Sequence, residues 1–387
     1  MQRIGIVAEF NPLHFGHKYL IDNAKLKGEV VCAISGNFVQ RGDTALCEKR
    51  LRTKMALDCG ADLVVEIPVC YSMSTAQNFA LGGVSALLSV GCNAIMFGSE
   101  EGKVEPLLKT AEILQTDEFK EKLANNLKSG ITFAKARQIA AEECGAKIGI
   151  LEGANNNLAI EYILAAKSLN ANLSFLTVKR QGALHDSTKT EKGFSSASFI
   201  REKLQKGDFE TAKKYMPKTA FVLLGQDNIS DINRIERAIL SVLRTKTFED
   251  LKNLPDISEG LENKLYWAIK NASSLDELYE SLKVKRYTLA RIRRLVLSAF
   301  LNIDNTFFMK TPPYIRVLGF NKNGETIIKS LKVSDIPVIL RAKEIENLPD
   351  SALKMFEWEN NATDLYALSL KKPFKSSLEY TSGLIKI

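Results

Sequence analysis

Residues 3–9 (RIGIVAE) form a short apolar run of strand type, and Asn11-Pro12 stops it before an amphipathic stretch from about Gly16 to Lys27. The pattern then repeats. Residues 30–35 (VVCAIS), 63–67 (LVVEI) and 94–97 (AIMF) read as further strands, with helices predicted over about 49–59 and 74–89 between them. Strands that are continuous apolar runs and alternate with helices point to a parallel sheet covered on both faces. Residues 103–145 carry an amphipathic helical pattern, 158–169 predicts another helix, and 173–179 (LSFLTVK) supplies the fifth strand. The expected class is α/β, doubly wound and Rossmann-like.

From Lys206 onward the texture changes to helical segments at about 231–244, 259–272, 274–282 and 287–301. Past Pro312-Pro313, residues 315–319 and 337–340 read as short strands, with 321–324 (NKNG) as a turn. The chain therefore divides near residues 203–218. We expect a catalytic domain over 1–210 and a mainly helical domain with a few short strands over 211–387.

Composition agrees with a folded protein of two domains: 387 residues, 45% hydrophobic and 25% charged. No apolar run approaches a membrane span and the N-terminus lacks a signal-peptide layout, so a cytoplasmic chain without membrane contact is expected. Six cysteines, all before residue 150 and without a CxxC pair, read as reduced structural thiols, and three histidines leave little for a His-rich metal centre. The net charge of +8 is unevenly placed. Residues 1–210 hold 25 Lys/Arg against 24 Asp/Glu, and the remainder holds 28 against 21. A near-neutral half joined to a basic half suggests that a polyanion touches the second.

The chemistry concentrates at His14-Phe15-Gly16-His17, just after the first strand and opening the first helix. Helix N-termini at the carboxyl ends of parallel strands offer unpaired N–H groups to phosphates. Two imidazoles can donate to phosphate oxygens, and the glycine permits close approach of the backbone. His14 and His17 are thus the candidate catalytic pair, stabilising charge as pyrophosphate leaves. Two surface histidines at a helix start would give the same four letters. A second element is Phe194 to Arg201 (FSSASFIR), where Ser195, Ser196 and Arg201 could cradle phosphate at another helix start, although Ser196 also suits an ordinary N-cap. Together the two elements resemble the nucleotidyltransferase superfamily.

Longer strings narrow the resemblance: residues 9–17 (EFNPLHFGH), 35–42 (SGNFVQRG), 60–68 (GADLVVEIP), 97–100 (FGSE), and Lys285-Arg286-Tyr287-Thr288 followed by Arg291 to Arg294. Over most of its length the chain is similar to the bacterial tRNA(Met) cytidine acetate ligase family. That resemblance implies ATP and acetate as substrates, acetyl-adenylate as intermediate, and transfer of the acetyl group to N4 of cytidine 34 of elongator tRNA(Met). Carried over by position, the ATP contacts are Val7, Ala8, Glu9, Phe10, Asn11, Pro12, Leu13, His14, Phe15, Gly16, His17, Lys18, Tyr19, Leu20, Gly98, Asn156, Arg180 and Gln181. Here Ala154-Asn155-Asn156-Asn157 replaces the family's Pro-Asn-Asn, which leaves open which asparagine serves. Mg²⁺ is expected on the phosphate oxygens. Asp43 and Glu48 are nearby acids that fit a solvated loop equally well. His185-Asp186 follows the last strand, and His185 is a candidate for deprotonating the cytidine amine.

Lys283, Lys285, Arg286, Arg291, Arg293 and Arg294 fall within twelve residues, with Leu289, Ile292, Leu295 and Val296 spaced to bury the other face of a helix. They are the tRNA-contact candidates, and a merely solvated basic helix would share the pattern. Two other functions stay open on the residues: a metabolite adenylyltransferase, and a non-catalytic RNA-binding protein.

Overall fold

The computed structural model describes residues 2–180, 194–258, 260–284, 287–307, 311–331 and 334–387. Gln181, His185, Asp186, Lys285 and Arg286 lie outside them. Among the described residues ten strands follow in order: β1 (Arg3–Ala8), β2 (Glu29–Ser35), β3 (Phe38–Val39), β4 (Asp43–Thr44), β5 (Leu63–Ile67), β6 (Ala94–Ser99), β7 (Ser174–Lys179), β8 (Ile315–Phe320), β9 (Val338–Ile339) and β10 (Ile385–Lys386). All but β3 and β4 join one sheet, ordered β10-β8-β5-β2-β1-β6-β7 with β9 beside β8.

β5, β2, β1, β6 and β7 are mutually parallel. β5 is buried throughout, as expected of a strand covered on both faces. On one face Ile21 of α1 (Phe15–Lys25) and Met55 of α2 (Lys49–Asp58) meet Ile4, Ile6 and Cys32. On the other, Val84 of α3 (Ala76–Ser89) and Ile160 of α4 (Ala154–Ser168) meet Val31 and Val65. The chain winds outward from β1 through β2 to β5 and then restarts at β6, on the other side of β1. This reversal opens a crevice beyond the carboxyl ends of β1 and β6.

The second core continues into the C-terminal half, reaching Ile292 and Leu295 of a helix at Leu289–Phe300 and Phe356 of another at Asp350–Ala367. The latter helix has no counterpart among the sequence expectations. β8 pairs antiparallel with β5, so a C-terminal strand extends the main sheet. Residues 321–324 are not a turn: Asn321 accepts the Gly324 N–H (3.0 Å) and caps a helix at Lys322–Lys329, which Ile327 anchors in the core. Leu289, expected on a buried face, is 43% exposed. α4 begins four residues before its expected start, because the Glu100 carboxylate accepts the N–H groups of Asn155 (3.2 Å) and Asn156 (2.8 Å) and fills the role of a cap from another element.

A buried ion network fastens the C-terminal segment. Lys49 lies 2.6 Å from both Glu66 of β5 and Glu379, Arg316 of β8 pairs with the other oxygen of Glu379, and Glu359 accepts the Val69 N–H. Three carboxylates face two cations, and burial holds the Glu359 carboxyl well above the ordinary carboxylate range. All six cysteines are free thiols. Among the described residues no helix is long and apolar enough to cross a membrane.

Candidate nucleotide site

The loop from β1 to α1 is shaped by its own side chains. Phe10 takes a left-handed φ of 48°, a conformation that a bulky residue adopts only when its surroundings impose it. His14 then caps α1, its Nδ1 accepting the Gly16 N–H at 3.0 Å, while His17 Nδ1 accepts the His14 N–H at 3.4 Å. The two rings stack with centroids 3.8 Å apart. With its Nδ1 used as acceptor, a neutral His14 carries its proton on Nε2. Burial pulls both pKa values down. It takes His17 to about 3, aided by the Arg180 charge and opposed by a hydrogen bond to the Pro12 backbone. His14 falls well below its usual value through burial and then the charges of His17, Arg180 and Arg201. Both rings are therefore neutral N–H donors near pH 7. Gly16 is required because a Cβ there would lie 2.9 Å from His14 Cε1.

These histidines line a cavity of about 520 Å³ in the crevice beyond β1 and β6, a size suited to a nucleotide. Of the expected contacts, Val7 to Asn11, His14, Gly16, His17, Tyr19, Leu20, Gly98 and Arg180 line it. Pro12, Leu13, Phe15 and Lys18 do not: Leu13 is fully buried in the core, and Lys18 pairs with Asp22 along α1. Asn156 is also turned away. Its Oδ1 accepts the N–H groups of Glu100 (3.0 Å) and Glu101 (3.2 Å), and its Nδ2 donates to Ile150. Asn155 and Asn157, on either side of it, line the cavity instead.

The serine segment divides its work. Ser196 caps a helix at Ala197–Gln205 by accepting the Phe199 N–H (3.1 Å), whereas the Ser195 hydroxyl is buried, lines the cavity and has no partner among the described residues. Arg201 donates to the Asn11 carbonyl (2.7 Å) and to Ser198, so it braces the histidine loop. Among the described residues the Arg180 guanidinium has no hydrogen bond or ion pair, and burial lowers its pKa. It is a cation available to a ligand. Asp43 and Glu48 do not line the cavity. Both are half-buried, and burial raises both, Glu48 to about 7.

The C-terminal basic cluster reaches this site. Arg294 lines the cavity, pairs with Asp256 (3.2 Å) and donates to the Gln40 carbonyl (3.1 Å). Arg291 bonds the Asp256 carbonyl (2.7 Å) and Ser258, and Arg293 stacks over Tyr279. Only Lys283 of the described candidates is plainly exposed, beside Glu280. The cluster is thus largely braced rather than free. Gln40, Arg41 and Ala290 also line the cavity without having been singled out. For Gln40 and Arg41 the signal was the SGNFVQRG string: Gly42 has φ 70° and abuts the helix so closely that a Cβ would lie 2.6 Å from Arg293 Cβ.

The family model for HIGH nucleotidyl transferases matches residues 1–380. The tRNA(Met) cytidine acetate ligase of Caldanaerobacter subterraneus subsp. tengcongensis is 39% identical over 100% of both chains, and that of a Thermoanaerobacter species 38% over 99% of both. The chain belongs to the tRNA(Met) cytidine acetate ligase family. Thermotoga maritima TmcAL, solved in an apo form and bound with α-thio ATP, superposes with TM-scores of 0.92 and 0.91 at 29% identity over both full chains. Over both full lengths the chain therefore shares the overall fold of that structure.

Proposed function

We propose that this chain uses ATP to activate acetate and transfers the acetyl group to N4 of cytidine 34 of elongator tRNA(Met) in the cytoplasm, giving N4-acetylcytidine, AMP and pyrophosphate. The observation that carries the reading is the convergence of two neutral imidazoles, the unpartnered Ser195 hydroxyl and the Arg180 guanidinium on one cavity. These are donors for a polyphosphate. Full-length relatives named as acetate ligases support the substrate assignment.

In the first step an acetate oxygen attacks the α-phosphorus and pyrophosphate leaves. No covalent nucleophile is required, because positioning and preorganised donors lower the barrier. Neutral His14 donates through Nε2–H, and neutral His17 through its ring N–H, to phosphate oxygens as charge builds, and Arg180 offsets that charge. Among the described residues no group of three or more His, Cys, Asp or Glu could hold a metal ion, so a Mg²⁺ would have to arrive with the nucleotide and would there add neutralisation. Asn155 and Asn157, rather than Asn156, contact the nucleoside. Residues 211–387 receive the tRNA, with the exposed Lys283 as the described contact to its backbone and Lys285 and Arg286 as further contact candidates, while residues 1–210 carry the adenylate chemistry. The test is mass analysis of nucleosides from unmodified elongator tRNA(Met) incubated with ATP, Mg²⁺ and labelled acetate, with His17→Ala as control. Labelled N4-acetylcytidine from the wild type alone is expected. Its absence on competent tRNA would overturn the reading and favour a metabolite adenylyltransferase.

A further inference from the structure

We propose that Glu9 is the general base of the transfer step, its carboxylate receiving the proton that the cytidine N4 amine loses as nitrogen attacks the acetyl carbonyl. The inference rests on the two-step reaction proposed above. Glu9 is an anomaly in its surroundings: a carboxylate lining a cavity whose other charged side chains include Arg41, Arg180, Arg201 and Arg294. Phosphate oxygens would repel it. Its natural counterpart is a ligand N–H, and the exocyclic amine of cytosine is such a donor.

Placement favours the cytidine over the other amine available, N6 of adenine. Glu9 follows β1 directly and is held from the β2 side, its Oε1 accepting the Gln40 N–H at 2.8 Å. The Gln40 carbonyl in turn accepts from Arg294 of the basic C-terminal helix (3.1 Å). Gly98, Arg180 and Asn155 come instead from β6, β7 and α4, on the far side of β1. An adenylate held there and a tRNA arriving over the basic helix meet with Glu9 between them. The second carboxylate oxygen accepts no hydrogen bond from a described residue, so it is open to the cavity.

The neighbours leave this oxygen basic. Arg52 is spent on the carbonyls of Cys47, Ser35 and Glu9 itself, and Arg201 on that of Asn11. Arg41 faces Glu9 from the turn between β3 and β4, and the Tyr162 phenol from α4. Burial raises the Glu9 carboxyl, and the Gln40 hydrogen bond and the three arginines only partly oppose it. In the step itself the N4–carbonyl bond forms, the bond from the acetyl carbon to the AMP phosphate oxygen breaks with its electron pair leaving on AMP, and the amine proton passes to Glu9.

The test separates the half-reactions of the full-length enzyme. Glu9→Gln keeps an acceptor for the Gln40 N–H but cannot take a proton. Single-turnover acetyl transfer from preformed adenylate to tRNA is expected to fall about 100-fold or more, with a much smaller change in acetate-dependent ATP–pyrophosphate exchange. The rise of the wild-type transfer rate with pH should flatten in the variant, and Glu9→Asp should restore part of the rate together with the pH dependence. Equal losses in exchange and transfer would assign Glu9 to nucleotide binding and overturn the inference. So would a wild-type pH profile in Glu9→Gln, or loss of transfer in His185→Ala with transfer intact in Glu9→Gln. Wild-type enzyme lacking acetate-dependent exchange would instead overturn the two-step reaction, a separate and recognisable failure.

Discussion

Replacing His17 by Gln should flatten the acid limb of the stability curve. In the folded protein burial and Arg180 bring the His17 pKa to about 3, while in the unfolded chain a histidine titrates near 6.5. A depressed folded pKa means that the unfolded chain binds the proton first as pH falls. Stability is thus fully present above about pH 6.5 and is lost progressively down toward pH 3, with a limiting slope of about 1.4 kcal/mol per pH unit. At pH 5 the loss from this one ring is about 2 kcal/mol, an upper figure because one edge of the ring meets solvent in the cavity. Urea unfolding of wild type and His17→Gln at pH 7.5 and pH 5 isolates it, since every other group titrates in both proteins. The difference between the two losses should approach that figure. Equal losses would refute the claim that His17 is held neutral. The same reasoning requires ATP to draw protons into the site, because phosphate charge reverses the penalty on the imidazolium. Calorimetric ATP titrations at pH 6 in buffers of different ionisation enthalpy should show proton uptake in wild type and less in the variant.

Four other perturbations test separate parts of the structure. Gly16→Ala forces the His14 ring from its position 2.9 Å from the new Cβ, and should weaken ATP binding by about tenfold, roughly the loss of one well-placed donor, with little change in melting temperature. Asn156→Ala removes three hydrogen bonds from a buried turn and should cost about 2–3 kcal/mol in urea unfolding; a selective loss of ATP affinity with unchanged stability would contradict its placement. Lys49→Met strands Glu66 and Glu379 in the core, with an expected loss of about 3–5 kcal/mol. Lys283→Ala should lower the slope of log K for tRNA against log salt by about one, without altering ATP–pyrophosphate exchange.

The parts of the fold that depend on local pattern were legible. Continuous apolar runs such as VVCAIS and LVVEI could be satisfied only inside a parallel sheet, and HFGH opened the helix that the pattern placed there. What escaped was set by residues far apart in sequence. Asn156 resembles its neighbours in the string AlaAsnAsnAsn, and only the Glu100 carboxylate, 56 residues earlier, decides which asparagines face the cavity. Ile315–Phe320 reads as a short strand, yet nothing local shows that its edge belongs against β5. The basic helix illustrates the same limit for function. Its arginine spacing suggests a solvated stripe, but Asp256, in a left-handed conformation with φ 62°, turns Arg291 and Arg294 inward, and Arg294 then grips the Gln40 peptide.

That grip changes how the two halves of the chain should be understood. Gln40 offers its N–H to Glu9 and its carbonyl to Arg294, so a single residue links the carboxylate proposed as general base to the helix proposed to meet tRNA. Gly42 makes the link possible, because any side chain at its φ of 70° would strike Arg293 and hold the loop off the helix. A cavity closed on one wall by the C-terminal half is incomplete when that half shifts. In the two-step reaction proposed above, adenylate formation would draw mainly on residues of β1, α1, β6 and β7, whereas acetyl transfer would need the Gln40 loop and the basic helix in register. Chemistry that must await a correct tRNA would be well served by a site whose last wall belongs to the half proposed to engage it.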